Sequence, residues 1–252
     1  MFETLKSISI KRSKSQEKVL LEKSRAWLET DERTPGIHAS DVLSPRIGYW
    51  SRVKPLPLED RLVTMFLVGK VLHAFVLSAA EGRATDLQRT DSGSHVSSDL
   101  GISFSPDLLV GDMPIELKTT RAFKAPDTLE DLWTYVEQLV VYMVAMNSPR
   151  AKLWVLYLNL RDEDKRTSPE FRCYTLRLSP EDLAVARIEI VAAKDALETA
   201  LVAKDHTALP LCVEWKCGAT RCGWWNDCKP EGRWKDAATK AARAKRHGKK
   251  EA

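Results

Sequence analysis

The stretch that decides the fold runs Pro106-Asp107-Leu108-Leu109-Val110-Gly111-Asp112-Met113-Pro114-Ile115-Glu116-Leu117-Lys118-Thr119-Thr120. Gly111-Asp112 is a turn dipeptide between apolar segments, so Val96 to Leu109 and Met113 to Thr120 read as a hairpin of short strands. Asp107 ends the first predicted strand, and Glu116 and Lys118 sit on the second. Residues two apart on a strand share a face. Glu116 and Lys118 therefore project together, and the hairpin brings Asp107 beside them. Two carboxylates and the Leu117 carbonyl make an oxygen-rich pocket suited to magnesium or manganese. A lysine beside such an ion helps to position or deprotonate a water, a combination that suits phosphodiester hydrolysis. Taken alone, the same residues describe a solvated hairpin edge with a Glu–Lys pair. The flanking Ile102, Phe104, Leu108, Leu109 and Val110 resist that reading, because a lone charge in apolar surroundings is unfavourable without a partner.

Outward from this hairpin, helical and strand patterns alternate. Gln16 to Thr30 reads as a charged amphipathic helix, followed by a turn at Thr34-Pro35-Gly36. Ser40 or Asp41 caps a short helix toward Trp50, and a long helical pattern covers Leu58 to Ala80. On the other side, Thr128 to Met146 is a strong helix closed before Asn147-Ser148-Pro149. Two strand-like runs, Lys152 to Leu160 and Phe171 to Leu178, precede a helix opened by Ser179-Pro180-Glu181 and reaching about Lys204. The expected fold class is α/β (α+β), a central mixed sheet flanked by helices. The expected organisation is an N-terminal helical extension (1–35), a core (36–209), a cysteine segment (210–230) and a basic tail (231–252). That tail carries seven Lys or Arg and one acid between Lys235 and Lys250, which reads as a solvated run able to add phosphate contacts.

The 252 residues are 44% hydrophobic and 29% charged, with a net charge of +4. These values fit a soluble globular chain and exclude a disordered or strongly basic one. No secretory signal is visible. The apolar runs Val63–Leu77 and Leu139–Met146 are too short or too interrupted to span a bilayer, so a cytoplasmic location without membrane association is expected.

Two further elements bear on the carboxylates. Gly69-Lys70-Val71-Leu72-His73 places an imidazole on the long helix. Gln138-Leu139-Val140-Val141-Tyr142 places an amide and a phenol one helical turn apart on one face. Each alone is an ordinary helix feature. In order, Gly-x-x-x-His, Asp, Glu-x-Lys and Gln-x-x-x-Tyr resemble the RecB-like branch of the PD-(D/E)XK nuclease superfamily. The resemblance covers about Ser40 to Met146 and the cysteine segment. It implies a restriction-endonuclease-like core in which His73, Asp107 and Glu116, with the Leu117 carbonyl, bind the catalytic ion. Asp107, Glu116 and Lys118 are then the catalytic residues, while Gln138 and Tyr142 act on the DNA. The nitrogen ligand His73 favours manganese over magnesium.

Four of the five cysteines, Cys212, Cys217, Cys222 and Cys228, lie within seventeen residues. Four such thiolates can enclose one zinc ion or one iron–sulfur cluster, and in a reducing compartment metal binding is the favoured reading. The spacing lacks paired Cys-x-x-Cys knuckles, yet stays within the range that zinc sites use. The nuclease family, including its CRISPR-associated exonucleases, often carries a 4Fe-4S cluster held by one early and three late cysteines. Ser40-Asp41-Val42-Leu43-Ser44-Pro45-Arg46 resembles the early motif with serine at position 44, so either Cys212 replaces the missing ligand or the cluster is lost, different or zinc. A 4Fe-4S cluster is expected, with zinc the alternative. Cys173 reads as a small buried side chain.

The resemblance implies an exonuclease acting on single-stranded DNA or DNA ends, in repair or recombination. Arg46 and Arg121 are candidate phosphate contacts, and Tyr49, Trp50 and Phe123 candidate stacking residues. No Gly-x-x-x-x-Gly-Lys-Ser/Thr loop is present, so unwinding would need a partner protein. The competing readings are a catalytically weak DNA-binding or assembly module with a structural metal, and a structure-selective endonuclease.

Overall fold

The computed structural model describes residues 13–29, 35–81, 87–89, 95–125, 132–161, 164, 166–212, 217 and 222–228. The basic tail and residues 126–131, where the helix pattern from Thr128 begins, lie outside these. The chain divides into two compact units, one of Met1–Arg33 with Pro57–Val71 and one of Thr34–Leu56 with Leu72–Ala252.

In the first unit, helix α1 (Lys14–Glu29) accompanies the first half of α4 (Asp60–Glu81). Arg25 pairs with Asp60 and donates to the Leu58 carbonyl at 2.6 Å, while the Lys70 ammonium lies 5.2 Å from the centre of the Trp27 ring. The second is a cation–π contact.

The second unit holds two sheets. Strands β1 (Ile37–His38), β3 (His95–Ser97) and β4 (Ile102–Phe104) form one, in the order β1-β4-β3. Strands β2 (Leu87–Arg89), β5 (Leu108–Val110), β6 (Met113–Thr120), β7 (Arg150–Arg161) and β8 (Thr167–Arg177) form the other, in the order β2-β5-β6-β7-β8. Only β6 and β7 run parallel in that larger sheet. A parallel pair needs a crossover, and α5 (Trp133–Ala145) lies within the connection between them. Helices α2 (Ala39–Leu43), α3 (Pro45–Val53) and α6 (Pro180–Ala203) pack with α5 around the main core. The fold class is thus mixed α/β, with mixed sheets flanked by helices.

The expected single strand Val96–Leu109 is three strands in two sheets. Gly101, at φ +64°, turns the chain back after Leu100, in a conformation that a side chain disfavours. Pro106 then interrupts pairing because it has no N–H to donate. Asp107 therefore precedes β5 instead of ending a strand. The hairpin itself is present, with Leu108 opposite Ile115 and Gly111 in the turn at φ +61°.

Alternation along β6 separates core from site. Ile115 and Leu117 are fully buried against Leu108, Val76 and Trp154. Glu116 and Lys118 face the other side, in register with Leu153 and Val155 of the main core. The start of α6 also follows the sequence: Ser179 Oγ accepts from the Asp182 amide at 3.0 Å, with proline in the first turn. Ser179→Ala is expected to lower stability by about 1 kcal/mol, read from the urea midpoint at unchanged slope. An unchanged midpoint would show that the cap adds nothing here.

Candidate active site

The site is built on the inner face of β6 and the facing side of α5. Glu116 is 3% exposed, in line with its position between two core-facing neighbours on β7. One of its oxygens, Oε1, accepts from Lys118 Nζ, while Oε2 is buried with no partner among the described residues. Lys118 Nζ also donates to Gln138 Oε1 at 2.9 Å. Gln138 Nε2 in turn donates to the Tyr142 hydroxyl at 2.6 Å, and that hydroxyl donates to the Ser105 carbonyl at 3.2 Å. The helical i, i+4 spacing of Gln138 and Tyr142 thus becomes a relay that fixes the lysine. Tyr142 is itself buried, and Tyr135 places its ring 5.8 Å from Lys118 Nζ.

Asp107 enters from the break before β5. Its Oδ2 accepts from the Leu117 amide at 2.7 Å, and its Oδ1 lies 3.8 Å from His73 Nδ1 on α4. His73, Asp107, Glu116 and Lys118 are thereby brought to one place in the second unit.

Electrostatics follow from burial. Burial pushes the Glu116 carboxyl up to about 7, with Lys118 pulling it down and Asp107 pushing it further up. For Lys118, burial alone would lower the ammonium, but Glu116 beside it carries it above the usual lysine range. The lysine therefore stays charged and acts as a donor. Burial and the Glu116 charge hold the Tyr142 phenol well above its ordinary range, which keeps it a neutral link in the relay.

The donor set fits a hard divalent cation on one observation: Glu116 Oε2 is orphaned among the described residues, on a carboxyl within the influence of Asp107, His73 and Lys118. Buried polar atoms without partners are rare and point to a function or a missing ligand. Among the described residues, no three His, Cys, Asp or Glu side chains are drawn close enough to enclose an ion as they stand.

A second cluster lies at the C-terminal end of the described chain. Cys212, Cys217, Cys222 and Cys228 line one pocket of about 270 Å³ (its open mouth included), together with Arg46, Ile47, Trp50, Trp224 and Trp225. The segment ending in α7 (Trp225–Cys228) is docked on the end of α3. Trp224 Nε1 donates to the Lys54 carbonyl at 2.7 Å, and Lys54 pairs with Asp227 at 2.8 Å. Burial pushes the Cys222 thiol up, so a thiolate there needs a cation beside it. Four thiols and aromatic shielding fit a thiophilic metal or cluster. Ser44, at the expected early-cysteine position, caps α3 and does not line the pocket.

Several expected residues fall elsewhere. Arg46 is 2% exposed and turned to the cysteines, so it is no phosphate contact. Tyr49 is buried and Trp50 packs on His206 with ring centres 4.9 Å apart, which removes both as base-stacking residues. Phe123 is exposed, with the Arg161 guanidinium 4.3 Å from its ring centre. Cys173 is exposed instead of buried, on edge strand β8, whose opposite face at Tyr174 is the one that packs on the core. The sequence reading missed Tyr135 and the Ser105 carbonyl, since neither carries a spacing signal toward Lys118.

With this geometry in place, comparison with known proteins gives one informative likeness. The chain has the fold of SSO0001, at TM-score 0.52 and 19% identity over 84% of this chain and 95% of that one. Two other solved structures superpose less well. They are the alkaline exonuclease LHK-Exo of Laribacter hongkongensis, solved with dAMP (TM-score 0.43, 20% identity, 67% of this chain and 91% of that one), and a phage-related exonuclease of Haemophilus somnus 129PT (0.38, 11%, 78% and 91%). No protein-family model and no curated protein matches the sequence. No helix among the described residues is long and apolar enough to cross a membrane.

Proposed function

We propose that the chain is a metal-dependent deoxyribonuclease that removes nucleotides from DNA ends or single strands. The observation that carries this reading is Glu116 Oε2, buried and without a partner among the described residues, on a carboxyl that feels the charges of Lys118, Asp107 and His73. His73, Asp107, Glu116 and the Leu117 carbonyl are the residues that would hold manganese or magnesium. Such an ion would acidify a water and neutralise phosphate charge. Lys118, charged and held by Glu116 and Gln138, would keep one proton for the water or the scissile phosphate. Gln138 and Tyr142 sit beneath it and set its direction from the DNA side of the site. The exposed Phe123 with Arg161, beyond the end of β6, offers a ring and a charge to an unpaired strand. The four cysteines are proposed to hold a 4Fe-4S cluster, or alternatively zinc, which would tie the C-terminal segment to α3.

The test is cleavage of end-labelled linear and covalently closed circular single-stranded DNA, with manganese, magnesium or EDTA. The expected result is metal-dependent loss of linear DNA, spared circles, and no activity in Asp107→Asn. Cut circles would make the enzyme an endonuclease. Absence of cleavage by metal-replete protein in either ion would replace the enzyme reading by a binding module.

A further inference from the structure

Arg46 presents a charge problem that the nuclease site does not explain. It is the second residue of α3 and is almost fully buried. A guanidinium cannot shed its proton in a protein, so this is a permanent buried cation. No carboxylate among the described residues pairs with it. Its Nη2 donates to the Leu209 carbonyl and to the Thr207 carbonyl at 3.3 Å, its Nε is buried without a partner, and its Nη1 donates to Cys228 Sγ at 3.4 Å. Carbonyl dipoles alone leave a buried cation poorly compensated. The same side chain lines the pocket that the four cysteines also line.

We infer that Arg46 is the built-in counter-charge of a four-thiolate centre formed by Cys212, Cys217, Cys222 and Cys228. The inference rests on the proposal that these cysteines hold a metal or cluster. Four thiolates around one zinc ion, or around an oxidised 4Fe-4S core, carry a net charge of −2. A guanidinium against one of the sulfurs offsets part of that charge without entering the ligand set. Arg46 is thus a positioning residue: it orients Cys228 and makes the dianionic centre tolerable in a pocket walled by Trp50, Trp224 and Trp225. Among the described residues, the arrangement accounts for both halves of the observation, a buried cation without an acid and a cysteine pocket whose wall holds Arg46 as its cation.

The experiment uses the full chain, loaded with zinc or reconstituted with iron and sulfide, as wild type, Arg46→Met and Arg46→Lys. Three quantities are read: metal content, the half-time of metal extraction by a chelator, and thermal stability with and without metal. Arg46→Met is expected to release metal roughly 10–100-fold faster than wild type. Arg46→Lys, which keeps the charge, is expected to recover most of that loss. Metal-free Arg46→Met is expected to be at least as stable as metal-free wild type, because an uncompensated buried charge has gone, whereas loaded Arg46→Met is less stable than loaded wild type. That reversal is what a merely structural pin would not produce.

Equal release from wild type and Arg46→Met would overturn the inference. So would Arg46→Lys releasing metal as fast as Arg46→Met, since the fork's bonds to Leu209 and Thr207 would then matter and its charge would not. Arg46→Met that fails to fold both with and without metal would likewise reduce Arg46 to a pin. Wild type that binds neither zinc nor iron would instead remove the four-thiolate reading itself.

Discussion

Lys118→Ala is expected to lower the rate of DNA cleavage about a thousandfold while leaving the Michaelis constant for DNA within a fewfold of wild type. The magnitude is that of losing one preorganised donor to a charge that develops in the transition state. The split between the two constants follows from geometry. Lys118 is enclosed by Glu116, Gln138 and the Tyr135 ring, a placement from which it would act on the reacting groups more than grip the strand. Lys118→Arg should not rescue, because a planar fork cannot occupy the space of a compact ammonium held between two oxygens. Gln138→Leu should fall between, losing roughly 10–100-fold, since it removes the lysine's second anchor and leaves the lysine itself. Single-turnover kinetics at saturating manganese would check all three. A Lys118→Ala enzyme with unchanged rate and raised Michaelis constant would make the lysine a binding residue and take the catalytic role away from it.

How far the sequence reached depends on the range of the interaction. The pairing of Glu116 with Lys118 was legible because a strand repeats every two residues, and that of Gln138 with Tyr142 because a helix repeats every 3.6. The cap at Ser179 was legible because its partner is three residues away. The link that joins these local pieces, Lys118 to Gln138, crosses from strand to helix, and no periodicity encodes it. The same holds more strongly for Arg46, whose cysteine partner is 182 residues further on. Its basic character near an expected nucleic-acid site invited a phosphate, and only packing shows that it is buried. Tyr49 and Trp50 misled for a related reason: aromatic residues serve cores as readily as bases, and His206 decides the matter here. The run Val96–Leu109 contains Gly101 and Pro106, the two residues at which it breaks, and a reading of it as extended chain passes over both. The basic tail, which reads from sequence as solvated or phosphate-binding, lies outside the described residues.

Glu116 carries the second large effect, and it concerns stability before catalysis. Its carboxyl is raised from 4.5 to about 7 by burial. A carboxyl whose folded value lies above its unfolded value binds its proton more tightly when folded. That contribution is complete below about 4.5 and is lost as the pH rises through about 7. At 1.36 kcal/mol per unit, ionisation of Glu116 removes about 3 kcal/mol from the protein freed of divalent ion between pH 4.5 and pH 8. Glu116→Gln has no such titration. Measured by urea unfolding in EDTA, the stability of the variant relative to wild type should therefore rise by about 3 kcal/mol over that interval. Manganese should reverse the ordering at pH 8, stabilising wild type and leaving Glu116→Gln unmoved, because the variant lacks the buried charge that the ion would offset. At pH 5 the ion should do little to either, since it must then displace a proton from Glu116. Parallel pH profiles for wild type and variant would sink this account. They would mean that Lys118 alone neutralises Glu116, and that the partnerless Oε2 imposes no demand for a cation.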